Sequence, residues 1–300
     1  MPEGDTVARL ARRLRPLLEG RTLVHGRLNV PAHATADLAG ARVLGVATHG
    51  KHLLTRFDLA GEALTLHTHL LMDGDWALLG PGKRLPARLL PDVRVLLVTD
   101  EQRTAAGLRM PVVELLRTAD EHRATGHLGP DLLDPDLDVP AAAARLAGEP
   151  SRPLAAALLD QRLVAGLGNL WANELCFLTG RSPWTPVAEL GEAGVARLVV
   201  RAARALRASA AGVTGYQVTT GNTRPGQEHW VAGRAGQPCR RCGTRVEVVA
   251  EVAGVPEDDD AAAGVRRRTW WCPHCQPGPS PLQTPQTGRT GQPLRPRAQP

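Results

Sequence analysis

Aromatic side chains are nearly missing from these 300 residues: six Trp, two Phe and one Tyr make up 3% of the chain. Any core must therefore be built from Leu, Val and Ala, and a 43% hydrophobic content over this length supplies more than one. Lysine is rarer still. Lys51 and Lys83 are the only two among 36 basic residues, so the cations are almost all guanidiniums, planar forks rather than compact point charges. A lysine in such a chain attracts notice. No apolar run reaches the roughly eighteen residues needed to span a bilayer, and the first twenty residues, with Asp, Glu and many Arg, do not read as a secretory signal. Cysteine is scarce too: five residues in a chain this long are no disulfide framework.

What is present is a basic excess. A net charge of +6 and a pI of about 9.6 favour an anionic partner, nucleic acid first. Val7, Leu10, Leu14, Leu17 and Leu18 recur at helical spacing, with Asp5 or Thr6 as caps, Gly20 as a stop and Pro16 weakening the last turn. Short apolar runs at 42–48, 52–57, 63–68 and 93–98 then alternate with turn residues and read as strands. Thr48-His49-Gly50-Lys51 lies between the first two. Gly129-Pro130 and Asp134-Pro135 mark a linker, 153–211 reads as helical with breaks near 166–169 and 180–186, and 214–236 is polar loop. The expected fold class is α+β multidomain. Its parts are an N-terminal helix plus antiparallel β-sandwich (1–125), a linker (126–149), a helical domain (150–232), a C-terminal zinc-ribbon β-hairpin (233–277) and a disordered tail (278–300).

The strongest chemical signal is the pair Cys239-x-x-Cys242 and Cys272-x-x-Cys275. Two such turns can supply four thiolates to one Zn²⁺, and a site filled by sulfur leaves no open position, so the ion is structural. A redox pair is the competing reading, and His274 reads as a neighbour rather than a ligand. The acidic stretch 257–260 accounts for the excess length between the two pairs and must point away from any phosphate. Arg266, Arg267 and Arg268 precede Trp270-Trp271 on the returning strand, as either a phosphate contact or a solvated charged face. Gly166-Leu167-Gly168-Asn169 leads into a helix whose free N–H groups suit a phosphate, although a plain inter-helix turn looks the same. Met72, in His69-Leu70-Leu71-Met72-Asp73-Gly74, is either a core residue or an adaptable wedge.

The start Met1-Pro2-Glu3 is ordinary unless Met1 is removed. Pro2 would then be a terminal secondary amine, and α-amino groups titrate near 7.7–8, well below lysine, leaving more free nucleophile at neutral pH. The positive end of the following helix disfavours a protonated amine there, while Glu3 opposes that effect.

Taken in order, these pieces resemble the formamidopyrimidine-DNA glycosylase/endonuclease VIII family of base-excision repair enzymes. They are Pro2-Glu3, Gly50-Lys51, His69-Leu70-Leu71-Met72-Asp73-Gly74, Gly166-Leu167-Gly168-Asn169, Gly233-Arg234-Ala235-Gly236-Gln237-Pro238-Cys239 and the ending Cys272-Pro273-His274-Cys275-Gln276. The resemblance covers about residues 2–276, and the Pro-Glu-Gly-Asp-Thr-Val start is similar to actinobacterial endonuclease VIII-like members. It implies a helix–two-turn–helix DNA-binding domain, a cytoplasmic, nucleoid-associated monomer and a damaged-DNA partner, duplex or single-stranded, with no membrane. It implies a bifunctional glycosylase/AP lyase acting on oxidised pyrimidines, or on oxidised purines with the same chemistry; a non-catalytic zinc-hairpin DNA-binding protein is the alternative from another class. Catalytic roles would fall to Pro2 as nucleophile, Glu3 as proton-transfer group, and Lys51 and Arg267. Lys51, Met72, Asn169 and Arg267 would contact DNA, with Met72 filling the hole left by the flipped nucleotide. Thr6 departs from the family pattern, which often has a second carboxylate there, and Asp5 is the acid nearest to replacing it.

Overall fold

The computed structural model describes residues 2–212, 214–250 and 267–281. Arg266, the acidic stretch 257–260 and most of the expected tail lie outside the described residues.

Helix α1 (Gly4–Leu18) buries Val7, Leu10, Ala11, Leu14, Leu17 and Leu18 along one face. Neither Asp5 nor Thr6 caps it. The N-cap is Glu3, in extended conformation and with its side chain directed elsewhere. The helix runs past Pro16, and Gly20, at φ +76°, reverses the chain while its N–H donates to the Val43 carbonyl.

Eight strands follow: β1 (Leu23–Leu28), β2 (Arg42–His49), β3 (His52–Leu59), β4 (Glu62–His69), β5 (Asp75–Leu79), β6 (Val93–Thr99), β7 (Thr104–Leu108) and β8 (Val112–Arg117). They form two antiparallel sheets, ordered β1-β6-β7-β5 and β2-β3-β4-β8. The four runs read as strands are β2, β3, β4 and β6. A strand such as Thr-Ala-Ala-Gly-Leu (β7) has little intrinsic β-propensity and is held by burial between neighbours. Leu14 and Leu18 of α1 pack with Val43, Leu53, Phe57, Leu66, Val95 and Leu97 in one core, whose aromatics are Phe57 and Trp76.

The second core is helical. After the short α2 (His122–Thr125) come α3 (Val139–Ala147), α4 (Leu154–Leu159), α5 (Asn169–Thr179) and α6 (Gly191–Ala211). Stretch 126–149, read as a linker from its Gly-Pro and Asp-Pro pairs, carries α3. The Asp138 carboxylate caps that helix by accepting from Ala141 N at 2.9 Å, Pro140 stands in its first turn, and Ala142 and Leu146 enter the core with Leu132, Leu158, Leu167, Trp171 and Leu206. The third unit is the antiparallel hairpin β9 (Glu247–Val249) and β10 (Thr269–Trp271), with a small core of Phe177, Val231, Val246 and the cysteines. Among the described residues no helix is long and apolar enough to cross a membrane.

Candidate active site

Three chain segments meet where the sandwich touches the helical unit: 2–4, 49–51 and 165–171. Glycine permits the approach. Gly4 N donates to Gly166 O at 2.8 Å, and a Cβ on Gly4 would stand 2.9 Å from Gly166 Cα. A Cβ on Gly168 would stand 2.5 Å from Glu3 Cδ, inside the contact limit of any carbon pair. Gly50, at φ +57°, turns β2 into β3 and lays Lys51 beside this junction, its N–H fixed by Asp131 Oδ2 at 2.9 Å.

Glu3 is fully buried. Its carboxylate accepts from Gly168 N at 2.7 Å, Leu170 N at 2.8 Å and Trp171 N at 3.3 Å, the first turn of α5. The helix N-terminus read from sequence as a phosphate site is therefore already occupied, by a carboxyl group of the chain itself. Burial, followed by repulsion from Asp5, pushes the Glu3 carboxyl up to about 7; the N–H bonds and the Lys51 ammonium oppose the rise without cancelling it. A carboxyl at that value exchanges a proton readily near neutrality. Pro2 is half-buried beside it, and Lys51 is 8% exposed.

Asp5 is not a second acid at this point. It is fully buried in a separate network, accepting from Ser209 Oγ at 2.5 Å and Gln217 Nε2 at 3.0 Å with Arg9 Nη1 at 3.5 Å, while Thr6 Oγ1 accepts from Arg9 Nη2 at 3.0 Å. This network ties the N-terminal helix to α6 and to the 214–228 loop.

Of the residues expected at DNA, Lys51 and Asn169 belong to the segments that meet at the junction. Asn169 is 8% exposed; its Nδ2 donates to Arg268 O at 2.9 Å, fastening the hairpin to α5, and its Oδ1 is buried with no hydrogen-bond partner. One hydrogen of that Nδ2 is thus already committed. Arg267 has a buried Nη1 without a hydrogen-bond partner among the described residues, a cation nitrogen with capacity to spare. Met72 is 39% exposed on the turn after β4, so it is no core residue. Cys239, Cys242, Cys272 and Cys275 hold their sulfurs within 4.8 Å of one another, with the Cys242–Cys272 pair at 3.5 Å and the Cys239–Cys275 pair at 3.9 Å. A tetrahedron with Zn–S of about 2.3 Å has sulfurs about 3.8 Å apart, so these four fit one ion.

Sequence reasoning did not find Glu174. It is fully buried on α5 and accepts from Trp230, Val231 and Ala232 N–H groups at 2.9, 2.8 and 2.8 Å, carrying the approach to the cysteine unit. The signal was available: Asn173-Glu174 interrupts an otherwise apolar helical run, and buried polar groups require partners.

Residues 1–109 match the model described as the Formamidopyrimidine-DNA glycosylase N-terminal domain, and 128–220 match its H2TH domain. Fold and site together define a DNA glycosylase that is also an AP lyase. The chain is 48% identical to the "Probable endonuclease 8 2" of Streptomyces coelicolor, covering 99% of this chain and 100% of that one. It is 44% identical to the "DNA-(apurinic or apyrimidinic site) lyase Nei2" of Mycolicibacterium smegmatis, over 92% and 99%. Among solved structures it resembles the MutM (Fpg) protein from Thermus thermophilus, with a TM-score of 0.69 and 32% identity over 93% and 100%. The chain belongs to the formamidopyrimidine-DNA glycosylase/endonuclease VIII family, and it is more similar to these two actinobacterial proteins than to that MutM.

Proposed function

We propose that this base-excision enzyme removes oxidised pyrimidines through a covalent intermediate on Pro2. The observation that carries the reading is the Glu3 carboxyl, buried beside Pro2 and held near pH 7 by its surroundings.

With Met1 removed, the Pro2 nitrogen attacks C1′ of the damaged nucleoside and the bond to the base breaks, the base leaving with a proton. Glu3 donates a proton to the sugar ring oxygen as the ring opens, leaving an iminium between Pro2 and C1′. The iminium draws electrons from C2′, which then loses a proton. The 3′ phosphate departs by β-elimination, and the 5′ phosphate follows by δ-elimination. Hydrolysis frees Pro2.

Lys51 and Arg267 hold the phosphates flanking the lesion, Arg267 with an Nη1 that has no hydrogen-bond partner among the described residues. The two cations are thereby fixed to different units, Lys51 on the sandwich and Arg267 on the hairpin. Asn169 sets the hairpin's position through Arg268 and reaches the backbone with what remains of its amide. Met72 enters the gap left by the extruded nucleotide, offsetting part of a few kcal/mol of unstacking. Cys239, Cys242, Cys272 and Cys275 hold one Zn²⁺, which supplies no reactive position and keeps the hairpin folded. The protein acts as a monomer on duplex DNA in the cytoplasm.

The test is borohydride trapping on duplexes carrying thymine glycol, a hydantoin, formamidopyrimidine, 8-oxoguanine or an abasic site, with wild type and a form that retains Met1. Trapping by wild type on the pyrimidine lesions and the abasic site, lost where Met1 blocks the Pro2 nitrogen as an amide, is expected. Preferential trapping on the two purine lesions moves the substrate class to oxidised purines. Undiminished trapping by the form that retains Met1 overturns the mechanism.

A further inference from the structure

The carboxylate that the family pattern often places at position 6 stands one residue earlier in this chain, and it meets a distant loop. Asp5 is fully buried in the first turn of α1. Its Oδ1 accepts from Thr6 N at 2.9 Å and from Gln217 Nε2 at 3.0 Å. Its Oδ2 accepts from Ser209 Oγ at 2.5 Å and lies 3.5 Å from Arg9 Nη1. Arg9 is held in turn, donating from Nη1 to Ser209 O at 2.8 Å and from Nη2 to Thr6 Oγ1 at 3.0 Å. Three hydrogen bonds and an ion pair thus satisfy an anion that water does not reach. A carboxylate only accepts, so Gln217 must present its amide nitrogen.

Gln217 is the one buried residue of the stretch 214–228. That loop has no apolar core of its own, so polar ties decide where it lies. Its far end is fixed to α5 and the cysteine unit. Thr219 Oγ1 donates to Glu174, Thr219 N and Thr220 N donate to Glu228 O at 2.8 and 3.1 Å, and Arg240 donates to Gly226 O and to Gln227. Its near end is tied to α1 by the Gln217–Asp5 bond. Asp5 follows Pro2 by three residues, so their Cα atoms are at most about 11 Å apart. In the reaction proposed above, C1′ approaches the Pro2 nitrogen while the base still hangs from C1′. A lesion therefore brings a base to the neighbourhood of this tie, and an abasic sugar brings none.

We propose that Asp5 is a positioning residue for base removal, acting through Gln217 to fix the near end of the 214–228 loop beside the chain terminus. Release of a damaged base depends on the Asp5–Gln217 bond, whereas strand cleavage at a site that has already lost its base does not. Asp5 exchanges no proton with the sugar; Glu3 keeps that part. This rests on the Pro2 chemistry proposed above.

The test is single-turnover kinetics of the zinc-loaded full-length protein on duplexes carrying thymine glycol, formamidopyrimidine or an abasic site. Release of the free base is followed by mass spectrometry, and cleavage of the abasic strand by gel electrophoresis. Gln217→Glu sets a carboxylate against Asp5 and breaks the tie. Asp5→Asn combined with Gln217→Glu restores it, with amide and carboxylate exchanged. Gln217→Glu should release base at least about tenfold more slowly than wild type, the worth of one bond to a charged group, and should cleave the abasic strand at a rate within about twofold of it. The double variant should recover most of the lost rate. Equal losses on lesion and abasic duplexes in Gln217→Glu would make the bond a structural one and overturn the proposal. Unchanged base release in Gln217→Glu, or a double variant no faster than it, would do the same. If Gln217→Glu does not fold, Gln217→Ala is read by the same split between substrates. Wild type that releases base from neither lesion would overturn this proposal together with the base-removal reading. Undiminished trapping by the form that retains Met1 would overturn the Pro2 chemistry, whereas the split between substrates still reads the loop.

Discussion

Glu3 opens the N-terminal helix, yet its carboxylate serves a different helix 165 residues away, closing the first turn of α5. The consequence for stability has a definite sign. Folded Glu3 keeps its proton up to about pH 7, against an ordinary value of 4.5. Below 4.5 both states are protonated and the group contributes nothing. Between 4.5 and 7 the unfolded chain has lost a proton that the folded chain retains, so stability falls with rising pH, by up to about 3 kcal/mol, and levels off above 7. Urea melts of wild type and Glu3→Gln across this range should differ by that decline, present in wild type and missing in the variant. Parallel curves would mean the carboxyl is not held as described. Lys51 and the cysteine pairs stood out in the sequence because their residue types are rare in this chain, whereas Pro2-Glu3 drew notice only through the order of motifs around it. The partner of Glu3 was not legible, because nothing local in Pro-Glu-Gly indicates which distant N–H groups will meet it. Asn169 was legible as a polar residue at a helix start, but its tie to Arg268 O is a tertiary fact.

At the scale of elements, α5 joins the parts. Its N-terminus binds Glu3, and Asn173 accepts from Trp270 N at 2.9 Å. Glu174 holds 230–232, and just beyond its C-terminal end Gln276 Nε2 donates to Arg181 O at 3.0 Å. The hairpin has only a small apolar core of its own, so a metal ion held by the four cysteines would supply much of its folding free energy. A strong chelator should therefore raise amide exchange across 239–249 and 269–276 while leaving α5 and α6 protected, and DNA affinity should fall with it. Protection unchanged after the metal has left would show that α5 alone suffices to hold the hairpin. The helical pattern of 153–211 and the hairpin were readable from apolar spacing and cysteine turns. Helix α3 was hidden by the two Xaa-Pro pairs before it, which mark a loop correctly but say nothing of the alanine-rich run that follows. Strand β7 was hidden by small residues that only burial between β5 and β6 explains, and β5, an edge strand, by its shortness and lack of alternation.

Across the whole molecule, a leucine-and-valine sandwich and an alanine-and-leucine helical unit bring two short segments, far apart in sequence, against the chain terminus. Lys51 of the sandwich stands close enough to Glu3 to lower its pKa, and Arg267 is carried by the hairpin that Asn169 fastens to α5 through Arg268. This layout explains why so few lysines suffice. In the mechanism proposed above, a terminal secondary amine does the covalent work and guanidiniums are left to the phosphates. The most direct measurement is the site of attachment. Enzyme trapped with borohydride on abasic DNA is digested and the adduct located by mass spectrometry. The adduct should sit on the nitrogen of Pro2, at the head of a peptide that has lost Met1. An adduct on Lys51, or full trapping by protein that retains Met1, would contradict the account.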